Sequence, residues 1–188
     1  SLLLQEDAAM RKVIESTLVS LDGVIGDPMT WVNGYFGKQA QDVALAQLLV
    51  SDALLMGRHT YEMFAAASDA GTSAYSERMK SIRKYVFSST LERADWNNSV
   101  IIRGNVADAV SRLKQEDGQD LVFYGHGPLG QTLLEHHLLD ELRLWMHPLL
   151  VGSGKLLFRQ SEKTTLKLVA TKTLEQGVVV LIYQPGAA

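Results

Sequence analysis

The sequence predicts an α/β domain with a central, mostly parallel sheet flanked by helices and closed by an antiparallel edge. Three features lead there. Short apolar runs of strand character alternate with segments whose apolar residues recur at helical spacing. Two strand-to-helix junctions, at Gly57 and at residues 125–130, are glycine turns. The last strand-like runs, 162–174 and 178–183, are separated only by Glu175-Gln176-Gly177, the pattern of a terminal hairpin.

In chain order, residues 12–20 form a buried strand around Val13, Thr17, Leu18 and Val19. Residues 21–37 are irregular and dense in turn signals, from Asp22-Gly23 to Asn33-Gly34. A loop of that length inside a compact domain suggests a lid or binding loop. Trp31, Tyr35 and Phe36 within it either pin the loop to the core or face a ligand. A helix over 39–50 places Val43, Ala44, Leu48 and Leu49 on one side. A buried strand at 52–56 then ends at Gly57, and the helix beginning at 58–64 has Thr60 as its candidate cap and Glu62 in its first turn. After a polar surface loop at 65–73 come a helix at 74–82 and a strand at 84–88 that ends in Ser88-Ser89-Thr90. A strand at 99–103 and a helix at 106–116 follow, the latter with Val106, Ala109, Val110 and Leu113 on one face. The strand at 121–124 runs into Gly125, Gly127 and Gly130, and Leu129, Leu133, Leu134 and Leu138 continue as a helix. A further strand opens at Asp140-Glu141, carries Trp145 in its interior and leads into His147-Pro148 and Gly152-Ser153-Gly154.

Composition narrows the function classes. At 188 residues the chain is one domain with room for a core. A net charge of −3 and a pI near 5.9 leave no electrostatic footprint for nucleic acid or an anionic membrane. No apolar run is long enough to span a bilayer, and a cytoplasmic protein is expected. The absence of cysteine excludes disulfides, thiolate zinc sites and a cysteine nucleophile. His136 and His137 are adjacent, and neighbours on a helix do not share a face, so no metal pair is expected there. Residues 1–9 read as a vector-derived tail ahead of Met10, leaving 10–188 as the single domain.

In open α/β sheets ligands bind beyond the carboxyl ends of the strands. Residues 57–60, 88–90 and 125–130 all fall at such ends. A glycine turn lets backbone amides approach an anion, and the helix N-terminus behind it adds a partial positive charge. One such turn can hold glycine merely because its backbone needs positive φ. Three polar clusters converging on one edge point to a phosphate-bearing cofactor.

The segments Ser20-Leu-Asp-Gly-Val-Ile-Gly26, Met56-Gly-Arg-His-Thr-Tyr-Glu62, Val86-Phe-Ser-Ser-Thr-Leu91 and 121–158 resemble the dihydrofolate reductase-like superfamily. Within it the chain looks most like the reductase domain of riboflavin biosynthesis, the C-terminal half of the bifunctional deaminase-reductase, over about residues 11–183. The resemblance implies a dihydrofolate reductase-like fold and an NADPH-dependent reductase of a small heterocyclic substrate. Carried onto this chain, it implies that main-chain amides around Gly57, Arg58, His59 and Thr60, and around Gly127, Pro128, Leu129 and Gly130, hold the pyrophosphate. Arg58 with Ser88, Ser89 and Thr90 would meet the adenosine 2′-phosphate, where a guanidinium offers a fork of charge-assisted donors. Ile25 and Gly26 would close over the nicotinamide, and Asp22 is the candidate catalytic carboxylate, to orient substrate or relay a proton. At Gly125-His126, where the superfamily often has two glycines, a cis or locally strained bond is expected, with His126 either near the cofactor or facing solvent.

The chain also departs from the pattern. It has no deaminase half, no carboxylate soon after Trp31, and Glu15-Ser16-Thr17 where the riboflavin reductases carry a lysine. Two alternatives therefore stand beside the reductase: a nucleotide or small-molecule binding module without turnover, and a dihydrofolate reductase. A homodimer is suggested by the apolar segment 142–151.

Overall fold

Strand β1 (Val13–Ser20) lies near the middle of the sheet and organises its neighbours. The computed structural model describes residues 10–158 and 162–186, so the reading of 1–9 as a tail lies outside the described residues. After β1 come α1 (Lys38–Leu49), β2 (Ser51–Gly57), α2 (Arg58–Ala67), α3 (Ala74–Ser81), β3 (Arg83–Phe87) and β4 (Ser99–Ile102). Then follow α4 (Val106–Gln115), β5 (Asp120–Tyr124), α5 (Gly127–Glu135), β6 (Glu141–His147), β7 (Leu166–Thr173) and β8 (Val179–Pro185). The sheet order is β4-β3-β2-β5-β1-β6-β8-β7. The first six strands of the chain run parallel, and β8 and β7 add the antiparallel edge.

Parallel strands covered by helices on both faces must be apolar on both. Alternation divides the core accordingly. Val13, Leu55, Leu121 and Phe123 pack with Val110, Leu113 and Leu133 of α4 and α5. Ile14, Leu54, Met56 and Val122 face the other way, onto Leu48, Tyr61 and Met79. Trp145 of β6 joins Val178, Val180, Ala40 and Ala44 in a third cluster beneath α1. Leu142, Leu144 and Trp145 are thus core residues, and Leu150 is the strongly exposed member of the apolar segment 142–151.

The loop at 21–37 is pinned. Trp31 donates its ring N–H to the Gly26 carbonyl (2.9 Å), and Trp31 and Tyr35 both set their rings edge-on to His147, with centroids 5.4 and 5.6 Å away. Phe36 stacks on Trp145. These aromatic residues therefore fasten the loop. Burial pushes the His147 imidazole below its usual pKa.

Lys84, in the middle of β3, has no exposed surface. Its Nζ donates to the carbonyl oxygens of Lys80, Ile82 and Asn97 at 2.8–3.0 Å and sits 4.2 Å from the centre of the Trp96 ring. Carbonyl dipoles and the ring face favour the cation. Desolvation opposes it and, helped by Arg78, brings the pKa down to about 8.

One feature of register shapes the ligand edge. The pairing of β1 with β5 ends at Ser16 and Tyr124, while β1 continues beside β6 to Ser20 and His147. The sheet therefore ends in a step, with residues 17–20 of β1 standing beyond the end of β5.

Candidate functional site

At the first glycine turn β2 passes directly into α2. Gly57 is the N-cap, with no side chain accepting from the first amides, so Thr60 is not the cap that the sequence suggested. Thr60 lies within the first turn instead. A Cβ at Gly57 would meet nothing within 4 Å, so the turn faces open space. Arg58 is half-exposed. Its Nε donates to Glu62 (2.8 Å) and its Nη1 to the Thr90 hydroxyl (2.9 Å), which ties the α2 turn to the end of β3. His59 is exposed beside it. At 88–90 the Ser88 hydroxyl accepts from the amides of Thr90 and Leu91.

Arg103 completes this corner, and sequence reasoning gave it no role. Pairing of Phe87 with Ile102 sets it alongside Ser88, and its guanidinium donates to the carbonyls of Ser88, Ser89 and Leu91 at 2.7–3.3 Å. The available signal was that β4, as a parallel neighbour of β3, must end at the same edge.

The second glycine turn differs from expectation. The described residues contain no cis peptide bond, so the expectation for Gly125–His126 is corrected: that bond is trans. Reversal is achieved by positive φ at Gly125 (+74°) and Gly127 (+48°), which glycine tolerates without a Cβ clash, and His126 between them is unstrained. Nor does the His126 side chain face solvent. It is buried, with Nδ1 3.0 Å from a carboxylate oxygen of Glu15, a residue with no exposed surface, and its ring lies edge-on to Phe158. Thr17 donates its hydroxyl to the same carboxylate (2.9 Å). The pair anchors the turn to β1. Gly130 is required by this packing, since a Cβ there would come within 2.6 Å of His126 Nδ1. Pro128 opens α5, where its missing N–H costs nothing, and Leu129 packs against the core. At Gly125 a Cβ would again project into open space.

Asp22 is committed to structure. Its carboxylate accepts from the Ser20 hydroxyl (2.5 Å) and from the amides of Val151 (3.1 Å) and Gly152 (2.8 Å). These bonds, the serine first, hold its carboxyl down to about 2. Ionised at neutral pH, Asp22 ties the two loops together and has no proton to deliver. Ile25 and Gly26 are fixed by the same neighbour, both amides pointing at the Lys155 carbonyl at 2.8 and 3.3 Å. Lys155 was also missed. Its Nζ lies 3.8 Å from the Cβ position of Gly127, so its ammonium stands at the front of α5.

Strand order places the ends of β3, β2, β5 and β1 side by side. Along that edge run a guanidinium corner, two helix N-termini opened by glycine, an ammonium and the fixed Ile25–Gly26 segment. These donors fit a dinucleotide carrying phosphates at its centre and at one end. Two open depressions, of about 580 and 190 Å³, lie apart from this edge, on the outer side of α2 and α3 around Trp96.

Fold and edge together define a dihydrofolate reductase-like α/β domain. The profile of the RibD C-terminal domain family matches residues 11–180, and the chain belongs to that family. It is 31% identical over 180 residues to the uncharacterized protein YyaP of Bacillus subtilis (strain 168), covering 92% of this chain and 94% of that one. Among solved structures it superposes on a putative riboflavin biosynthesis protein from Shewanella sp. PV-4 with TM-score 0.72 and 21% identity, covering 94% and 99% of the two chains. A deaminase/5-amino-6-(5-phosphoribosylamino)uracil reductase from Thermotoga maritima gives TM-score 0.66 at 14% identity, with 94% of this chain matching 57% of that one. The dihydrofolate reductase of Enterococcus faecalis, complexed with NADP(H), gives TM-score 0.60 at 12% identity over 94% and 97%.

Proposed function

We propose that the chain is an NADPH-dependent oxidoreductase that reduces a polar double bond of a small heterocycle, with 5-amino-6-(5-phosphoribosylamino)uracil as the first substrate to test. The observation that carries this reading is the meeting of Arg58, Thr90 and Arg103 beside two glycine-opened helix N-termini. Arg58, with the 88–90 turn braced by Arg103, takes the 2′-phosphate. The amides opening α2 and α5, with Lys155, take the pyrophosphate. The cofactor supplies the hydride. The protein orients it: Asp22 and the Lys155 carbonyl hold residues 22–26 in place, and the Glu15–His126 pair fixes the second turn. A homodimer belongs to the same reading, with exposed Leu150 in the contact; sedimentation as a monomer at micromolar concentration would refute it.

Fluorescence titration with NADPH and NADH tests the reading. Tight binding of NADPH, weakened in Arg58→Ala, is expected; binding of neither nucleotide would remove it. One observation favours the binding-module alternative. Where the family carries a lysine this chain has Glu15-Ser16-Thr17, with the Ser16 hydroxyl accepting from the Trp145 ring N–H (3.0 Å) and Glu15 locked to His126. Steady consumption of NADPH with the pyrimidine would exclude that alternative.

A further inference from the structure

Residues 20–26 and 149–157, distant in sequence, run side by side at the ligand edge as an irregular two-stranded arm. Leu21 donates its amide to the Leu149 carbonyl (3.0 Å), and Leu157 donates to the Gly23 carbonyl (2.9 Å). Between them the Val151 and Gly152 amides meet the Asp22 carboxylate. Val24 and Leu156 form an antiparallel bridge, and a Cβ at Gly154 would come within 2.9 Å of the Val24 side chain. The Lys155 carbonyl closes the arm by accepting from Ile25 (2.8 Å) and Gly26 (3.3 Å). Residues 23–26 therefore move only with Lys155.

Two contacts join this arm to the second glycine turn. The Phe158 ring lies edge-on to His126, with centroids 5.2 Å apart, and the Lys155 ammonium stands before Gly127 at the start of α5. That ammonium has no ion-pair partner among the described residues. The start of α5 is the positive end of a helix dipole, so the helix and the ammonium repel each other. An anion that meets both replaces the repulsion with two attractions. We propose that Lys155 is the residue through which the cofactor's pyrophosphate places residues 23–26. Its ammonium takes the phosphate while its own carbonyl holds the Ile25 and Gly26 amides. The inference rests on the reductase reading above, in which the pyrophosphate lies at α5 and residues 22–26 orient the cofactor. It adds an order of events: the dinucleotide binds first and stiffens the arm, and the acceptor meets the completed surface second. Coupling of this kind is reciprocal, so a bound acceptor also tightens the hold on the dinucleotide. Toward the acceptor Lys155 is a positioning residue, acting through the Ile25 and Gly26 amides.

Amide hydrogen exchange at Ile25 and Gly26, followed by NMR with NADP+ as the probe, tests this in wild type, Lys155→Met and Lys155→Arg. Both substitutions keep the carbonyl, so the hydrogen bonds of the arm remain. In wild type, saturating NADP+ should slow exchange at the two amides about tenfold. In Lys155→Met the NADP+ affinity should fall about threefold, which excess ligand makes good. At saturation the slowing should then shrink to less than about twofold, and Lys155→Arg should recover most of it. A lysine with only a structural role would shift exchange in the free and bound protein alike. A bound-to-free ratio in Lys155→Met equal to that of wild type therefore overturns the inference. So does a wild type in which NADP+ binds and leaves these two amides exchanging as before. A wild type that binds no NADP+ by calorimetry takes the reductase reading down first, and this inference with it.

Discussion

The ligand edge has two halves built on different physics. At β2, β3 and β4 it is charged and open: Arg58, Arg103, Thr90 and two strand-end turns, held by hydrogen bonds at the surface. At β5, β1 and β6 it is aromatic, with Tyr124 packed on Phe64, Trp31 and Tyr35 on His147, and Phe36 on Trp145, while the Asp22 carboxylate and the Lys155 ammonium stand in the flanking loops. The charged half is suited to grip a constant anionic group, because guanidinium and amide donors recognise phosphate whatever is attached to it. The aromatic half fastens the loop at 21–37 to the sheet. In the reductase proposed above, cofactor affinity therefore rests on the charged half and loop placement on the aromatic half.

Substitutions should respect that division, and the largest effect is expected on the aromatic side. Trp31→Ala removes a buried ring from the loop and should cost about 3–5 kcal/mol of stability by chemical denaturation. In the protein that remains folded, the salt dependence of NADPH binding should be unchanged; if it changes, the halves are coupled. Arg58→Ala should weaken NADPH by about 10–100-fold and NADH hardly at all, the loss shrinking at high salt. Equal losses for both nucleotides would place Arg58 off the 2′-phosphate. Arg103→Ala should cost several-fold in NADPH affinity by loosening the 88–91 turn, since its donors are already spent on carbonyls. The smallest effect is electrostatic and lies at His147. Its folded pKa is below its ordinary value of about 6.5, so the unfolded chain binds a proton there that the folded chain resists. Stability should fall as the pH drops below about 6.5 and be indifferent to His147 above it. The difference in unfolding midpoint between wild type and His147→Gln, followed from pH 8 to 5, isolates this contribution; a difference that does not vary with pH would refute it.

The charged half was the more legible in sequence because its signals are local. A glycine after an apolar run, an arginine at a helix start and a serine pair at a strand end each announce themselves within a few residues. The mostly parallel sheet and its terminal hairpin were legible for the same reason, from periodicity and short turns. The aromatic half depends on pairs far apart in the chain. Glu15 meets His126 across 111 positions, and Ser16 meets Trp145 across 129. No local pattern distinguishes Lys84, buried under Trp96, from a solvated strand lysine. The cis or strained bond expected at Gly125–His126 followed from the superfamily's glycine pair, whereas here His126 stands in place of one glycine and the turn is made by positive φ at Gly125 and Gly127. Arg103 and Lys155 were passed over because their meaning depends on which strand or turn stands beside them.

The step at which β1 outruns β5 bears on how such a protein can change over generations. Its riser is main chain, and main chain presents the same atoms whichever residues occupy 17–20. The side chains of Thr17, Val19 and Ser20 are buried, tied to Glu15, to the core and to Asp22, so variation around the ledge is left to the loops set against it.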